Sequence, residues 1–380
     1  MNAERLHAIA NSIREDLQAT QSVKLLEQLT AMLQNQIANP AEPSYQKQVG
    51  ELRKRLIEAL RNAPSNGFPP TWKQALEDLG VESRFGSALA DQVEEIFSRN
   101  QITPTVARDE LVQIHKQIKD FEDTIAQVRK ALANLKIGTE DLPPGLAELG
   151  LLIPRDFVNN KLDQFAKELR EDDKIFGVFA ELTTGTRPGF PIRSISSSDL
   201  SIFLDLMNSK TAACIALAVS SLISSYKKIL EIRRLKRDLQ DQGLTEQSLE
   251  AINNHAEGLM EAGIAESVEK ILNDFYQDTG DGRKNELKIE LTYSMRNIAA
   301  RIDRGFNVEV RMTPSAKATE DADSQSNAKY EQIVSDLAPA LQFLKREGPP
   351  ILSLPERPEN DATEIEENVE EQEPKKPKKK

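Results

Sequence analysis

The sequence predicts a mainly α protein with a small α+β module, in which long coiled-coil-like helices join a short, mostly antiparallel sheet of about four strands. Three observations carry this. Glycine (17 residues) and aromatic side chains (5%) are sparse in a chain of 380 residues, a composition that suits helices better than a β-sandwich. Apolar residues recur at three- and four-residue spacings along three long stretches. Between those stretches, short segments alternate polar and apolar residues at the period of a strand.

Residues 1–137 read as a helical region, interrupted by turn chemistry at Asn39-Pro40, at residues 62–70 and near Gly80. Its last helix has the clearest stripe in the chain. Leu111, Ile114, Ile118, Phe121, Ile125, Val128, Leu132 and Leu135 follow alternating steps of three and four, the spacing of a coiled-coil seam. Pro104 suits the helix start and Gly138 its end. A rod of about 30 residues is roughly 45 Å long and needs a partner stripe. The expected partner is a helical hairpin at about 208–277, or a second copy of the chain. The first arm of that hairpin carries Ile215, Val219, Leu222, Tyr226 and Ile229, and the second carries Ile264, Val268, Ile271 and Phe275.

Residues 145–313 read as the α+β module into which this hairpin is inserted. Strands are expected at Glu148–Pro154, Pro191–Ser197, Leu200–Leu206 and Phe306–Met312, with Ser198-Asp199 as a turn. Helices are expected from about Asp156 to Thr184, capped by Gly185, and from about Arg283 to Arg304. Residues 314–347 read as a linker followed by one amphipathic helix at Tyr330–Lys345, built on Ile333, Leu337, Leu341 and Leu344. Residues 348–380 read as a disordered tail, proline-rich, then acidic, then basic in PKKPKKK.

The net charge of −12, from 49 basic and 61 acidic residues, argues against nucleic-acid binding driven by the field of the whole molecule. One cysteine, Cys214, excludes an internal disulfide framework and a multi-cysteine zinc site. The charged N-terminus lacks a signal-peptide core, so the expected location is cytoplasmic.

The stretch MNSKTAACIALAVSSLISSYKKILEIRRLKR, Met207–Arg237, admits three readings. As a membrane span it is too short, with only 16 residues between Lys210 and Lys227, four of them serines. No constitutive span is therefore expected. A helix that shelters residues 211–223 until assembly delivers them to a membrane is a second reading, and close packing through Ala213, Ala216 and Ala218 is the plainer one. The basic half holds Lys227, Lys228, Arg233, Arg234, Lys236 and Arg237 against Glu231. Such a patch attracts nucleic acid or anionic lipid, although solvated faces of long helices often look the same.

No motif names an enzyme: phosphate loops, dinucleotide fingerprints, zinc-protease pairs and nucleophile elbows are all missing from the sequence. His7, His115 and His255 fall in separate predicted helices without a partner at ligand spacing. Ser224 and Lys227 form an SxxK pair without its companion motifs. Asp278–Asn285 resembles a calcium loop but puts Gln277 and Lys288 at ligand positions, so it reads as a turn. Asp172 occupies an apolar register position, where a paired, functional carboxylate is one reading and local exposure the plainer one, and Ser194 and residues 196–198 read as strand and hairpin positions. The sequence thus predicts neither catalytic residues, nor a cofactor, nor a metal. It points to a scaffold or assembly component working through a protein partner or self-association, with the membrane-active and polyanion-binding readings as alternatives.

Overall fold

The computed structural model describes residues 3–355 except 140, 197–199, 207, 242–245, 277–280, 316–321, 342–343 and 345–347. The Ser198-Asp199 turn and the acidic and basic tail segments (356–380) lie outside the described residues. The fold is mainly α with a small four-stranded antiparallel sheet.

Six helices form an N-terminal lobe: α1 (Ala3–Thr20), α2 (Ser22–Ala38), α3 (Pro43–Arg61), α4 (Pro70–Asp78), α5 (Gly86–Arg99) and α6 (Pro104–Asn134). Proline stands in the first turn of α3, α4 and α6, where its missing N–H costs nothing. The α6 stripe is buried against α2 and α1, not against the 208–277 hairpin. Ile9, Ile13 and Leu17 of α1 and Leu26, Leu29 and Leu33 of α2 supply the facing apolar surface. Both helices lie nearer to α6 in sequence than the hairpin does.

The seam is not uniform. Leu111, Ile114, Ile118, Ile125 and Leu132 are buried, Phe121 and Val128 are half-buried, and Leu135 is 71% exposed. Leu135 departs from the stripe because the helix ends there. Lys136, at φ 57°, closes a Schellman turn in which the Ile137 amide donates to the Leu132 carbonyl and Lys136 to Ala133. The left-handed cap expected at Gly138 thus sits two residues earlier.

The remainder of the chain builds around the sheet. Strands β1 (Ala147–Ile153), β2 (Ile192–Ser196), β3 (Leu200–Leu206) and β4 (Asn307–Met312) lie in the order β2-β3-β1-β4, all antiparallel. Between them run α7 (Leu162–Thr184), the hairpin helices α8 (Ser209–Asp241) and α9 (Glu246–Phe275), and α10 (Asp281–Ile302), with α11 (Ala322–Leu337) after β4. The helix expected from Asp156 starts only at Leu162, because Asn159 and Asn160 both take left-handed φ values and turn the chain. Gly185 caps it at φ 78°, as its sequence position predicts. Asp281–Asn285 lies within α10 and is not a turn. The last helix runs eight residues earlier than expected and stops before Pro339, so Leu341 and Leu344 pack from outside it.

Each sheet face has one character. Leu149, Leu151, Leu206, Val308 and Val310 share one face and join the core that α7, α8 and α10 supply, while Ile202 on the same face packs with Ile153, Val158 and Phe306. Ala212, Ala213, Ala216 and Ala218 of α8 are fully buried, giving the thin helix surface that lets these layers approach. The other face carries Glu148, Gly150, Phe203, Asp205, Glu309 and Arg311, and the N-terminal lobe closes over it. A polar strand face normally meets water; here it is an interior surface.

Candidate functional site, a buried charged junction between lobe and sheet

Three arginines and three carboxylates meet where the lobe meets the sheet. Arg5, 3% exposed near the start of α1, donates through Nη2 to Glu148 Oε1 at 2.8 Å. Its guanidinium carbon lies 3.2 Å from the centroid of the Phe203 ring, a cation–π stack. Arg311 donates to the same Glu148 oxygen through Nη2 (2.8 Å) and Nε (3.0 Å), while Arg193 Nε stands 3.3 Å from Oε2. Arg193 also donates to Asp205 Oδ1 at 3.2 Å and to the Asp141 carbonyl at 2.9 Å.

Strand chemistry sets these positions. Two residues of β2 oppose one of β3 between Ile192 and Ser194, a bulge centred on Arg193. Regular alternation from Ile195 would turn Arg193 to the apolar face; the bulge turns it to Glu148 instead. Gly150 is the second device. A Cβ there would sit 2.5 Å from Glu309 Cγ and 2.9 Å from Phe203 Cε1, so only glycine lets both side chains cross the strand.

Glu309, 0% exposed, faces the start of α4. Its Oε2 accepts from the Thr71 amide at 3.0 Å and the Thr71 hydroxyl at 2.7 Å, and Oε1 lies 3.8 Å from Arg5 Nη1. Pro69 gives α4 no side-chain cap, so a carboxylate from the sheet serves the helix N-terminus. Beside Arg5 lies a cavity of about 150 Å³ lined also by Ile9, Thr71, Ala75, Ser201 and Phe203.

The charges balance three against three, and Glu148, Glu309 and Asp205 each accept a hydrogen bond from the residues around them. Such a network has little tolerance for a missing member, and its chemistry is positional: it fixes the lobe on the sheet. Among the described residues no group of His, Cys, Asp and Glu is arranged to hold a metal ion.

A second buried cluster links α7 and α10. Arg301 grips Glu168 with Nε–Oε1 2.5 Å and Nη2–Oε2 3.2 Å and donates to Asn297 Oδ1 at 2.7 Å, with Asp172 Oδ1 3.7 Å from Nε. Asp172 is only 4% exposed, which overturns the expected local exposure. Burial, and then the neighbouring Glu168 carboxylate, push its acid well above the usual range against the pull of Arg301. Two carboxylates share one guanidinium.

The basic half of α8 divides. Lys227, Lys228, Arg234 and Arg237 are exposed, while Lys236 is half-buried and donates to Asn253 Oδ1 at 2.9 Å. Arg233 leaves the predicted patch. It is 6% exposed, paired with Asp303, and donates to the Pro349 carbonyl at 3.0 Å and the Tyr226 hydroxyl at 3.3 Å. It falls on the same helix face as Tyr226 and Ile229, which turns it inward.

The remaining sequence candidates stay apart. His7 Nδ1 donates to the Ile137 carbonyl at 2.9 Å, tying α1 to the end of α6, while His115 is half-buried on α6 and His255 is exposed on α9. Cys214 is fully buried, and burial pushes its thiol up, away from the reactive thiolate. Ser194 and Ser196 belong to β2, and Ser224 is exposed on α8. The junction residues went unpredicted because their alternating strands read equally well with a wet polar face. The chain matches no protein-family description, no curated protein and no solved structure.

Proposed function

We propose that the chain is a non-enzymatic cytoplasmic scaffold or assembly component, acting through a protein partner or self-association. The observation that carries this reading is the contrast between the two sheet edges. At β4 the Asn307 side chain accepts from the Leu344 amide at 2.8 Å and α11 packs alongside, so that edge is covered. At the opposite edge β2 bonds to β3 alone among the described strands, with Ile192 and Ile195 63% and 52% exposed. An edge strand with outward isoleucines is a template for added chain. The junction supports the same reading, since a scaffold needs its lobes at a fixed angle. The seam of α6 contributes by making the lobe rigid.

The experiment is light scattering on the purified chain beside Ile192→Lys/Ile195→Lys. The reading expects the wild type above monomer mass, or with a stoichiometric co-purifying protein, and the variant without it. A monomer with nothing bound in both contradicts it.

The membrane-active alternative rests on α8, which by length and composition alone passes for a membrane-crossing helix. Eleven of residues 211–223 are buried in the core between sheet and helices. Exposing them dismantles the α/β body, so packing is the better-supported role. The polyanion alternative keeps five of its six cations, with Arg233 removed.

A further inference from the structure

Residues 348–355, GPPILSLP, lie on the α/β body as a strap outside any helix or strand. One side chain anchors the strap deeply. Leu352 is 8% exposed and joins the core, with Ile351 half-buried beside it, whereas Gly348, Pro349, Pro350, Ser353 and Leu354 are exposed. The rest of the hold is on the main chain. The Pro349 carbonyl accepts from Arg233 Nη2 at 3.0 Å, and the Ile351 and Leu352 amides both donate to Asp303 Oδ2, at 2.6 and 2.7 Å. Proline has no N–H, so these amides are the only main-chain donors from 349 to 352, and one carboxylate oxygen takes both. Asn307 treats Leu344 in the same way, accepting from its amide at 2.8 Å and donating to its carbonyl at 3.4 Å.

Contacts of this kind give affinity for a backbone, while side-chain pockets supply the selection. Here selection falls on two features: the proline pair, which fixes φ and leaves no competing donor, and the leucine that fills the core position. Any chain with that spacing presents the same groups. Arg233 and Asp303 are almost wholly buried and paired with each other. Departure of the strap therefore strands neither charge, and the clamp is complete without its occupant.

We infer that Arg233, Asp303 and the core position filled by Leu352 form a peptide-docking groove, which residues 348–355 occupy in cis and which a partner protein enters with a non-helical Pro-Pro-aliphatic-Leu segment. The strap is then autoinhibitory. Being part of the same chain, it competes at millimolar effective concentration, so an incoming segment must outbind it. The groove lies on α8 and at the end of α10, not at β2, so this site and the strand edge can fail separately.

Two measurements test this on the full chain. In the first, fluorescein-labelled GPPILSLP is titrated into the wild type and into Leu352→Asp, whose own strap has lost its anchor. The variant is expected to bind at least about tenfold more tightly than the wild type, and the peptide GPPIDSLP to bind neither. Equal affinity of the two chains for GPPILSLP, or of the variant for the two peptides, overturns the inference. In the second, deuterium uptake of residues 348–355 in the wild type is read by mass spectrometry, which does not depend on the variant folding. Millimolar GPPILSLP is expected to raise that uptake and GPPIDSLP to leave it unchanged; no rise with GPPILSLP, or the same rise with both, overturns it. Light scattering that finds the wild type above monomer mass and Leu352→Asp at monomer mass gives the groove to a second copy and overturns the assignment to a partner.

Discussion

Replacing Arg5 by alanine tests the junction where it is most exposed to failure. The substitution removes the side chain of a residue only 3% exposed, bonded to Glu148 and stacked on Phe203. Breaking a buried ion pair from one side costs about 3–5 kcal/mol, because the surviving charge stays desolvated. Arg311 still donates twice to Glu148, which places the expected loss near the low end, about 3 kcal/mol. A chain of 380 residues moves less per kcal/mol than the roughly 2–4 °C of a 150–250-residue domain, so the melting temperature should fall by a few degrees, up to about 6 °C. Trp72, the single tryptophan, reports locally because Arg311 lies 5.8 Å from its ring. Guanidinium titrations followed by Trp72 emission give the free energy. Lys54→Ala is the control, removing half of an exposed pair whose side chains are 78% and 61% accessible; it should change stability by less than about 0.5 kcal/mol. If Arg5→Ala is as mild as that control, the junction does not hold the lobe.

Three further outcomes follow from the same geometry. Gly150→Ala forces a methyl against Glu309 and Phe203 and should destabilise by about 1–3 kcal/mol in thermal melts; an unchanged melting temperature would show that the strands do not cross as described. Asp172 has a folded-state pKa above its unfolded value of 3.8, so the folded state binds the extra proton, and its contribution falls as pH rises from about 4 toward the raised pKa. Asp172→Asn should remove that decline and stabilise the protein at neutral pH in denaturant titrations across pH, whereas a variant less stable by the same amount at every pH refutes the assignment. Ile118→Ala should cost about 2–5 kcal/mol as a buried truncation and Leu135→Ala less than about 0.5 kcal/mol as a surface one. Equal costs in chemical denaturation would mean that the stripe is not covered as described.

The periodic parts of this fold were legible because their periods are local. The α6 stripe, the hairpin and the strand Leu200–Leu206 all show in steps of two to four residues. The four strands fall within one residue of the expected ends, since each is bounded by turn residues or a proline. Partnership was not legible. The α6 seam pairs with α1 and α2, and no feature of its spacing distinguishes those from the hairpin arms. The same limit hid the junction: Glu148 and Arg311 alternate with apolar neighbours as solvent-facing residues do, and their burial depends on an arginine 143 positions away from Glu148. Arg233 looked like its neighbours in the basic run; its register with Tyr226 and Ile229 turns it inward, and the partner that makes a buried charge tolerable there, Asp303, lies 70 residues on.

The central claim is that one buried charged junction makes the lobe and the α/β body a single cooperative unit. The most direct measurement records Trp72 emission and far-UV ellipticity on the same guanidinium titration. Superimposed transitions are the predicted result. A Trp72 transition completed while helicity is intact would mean that the lobe leaves the sheet on its own, and would contradict the account.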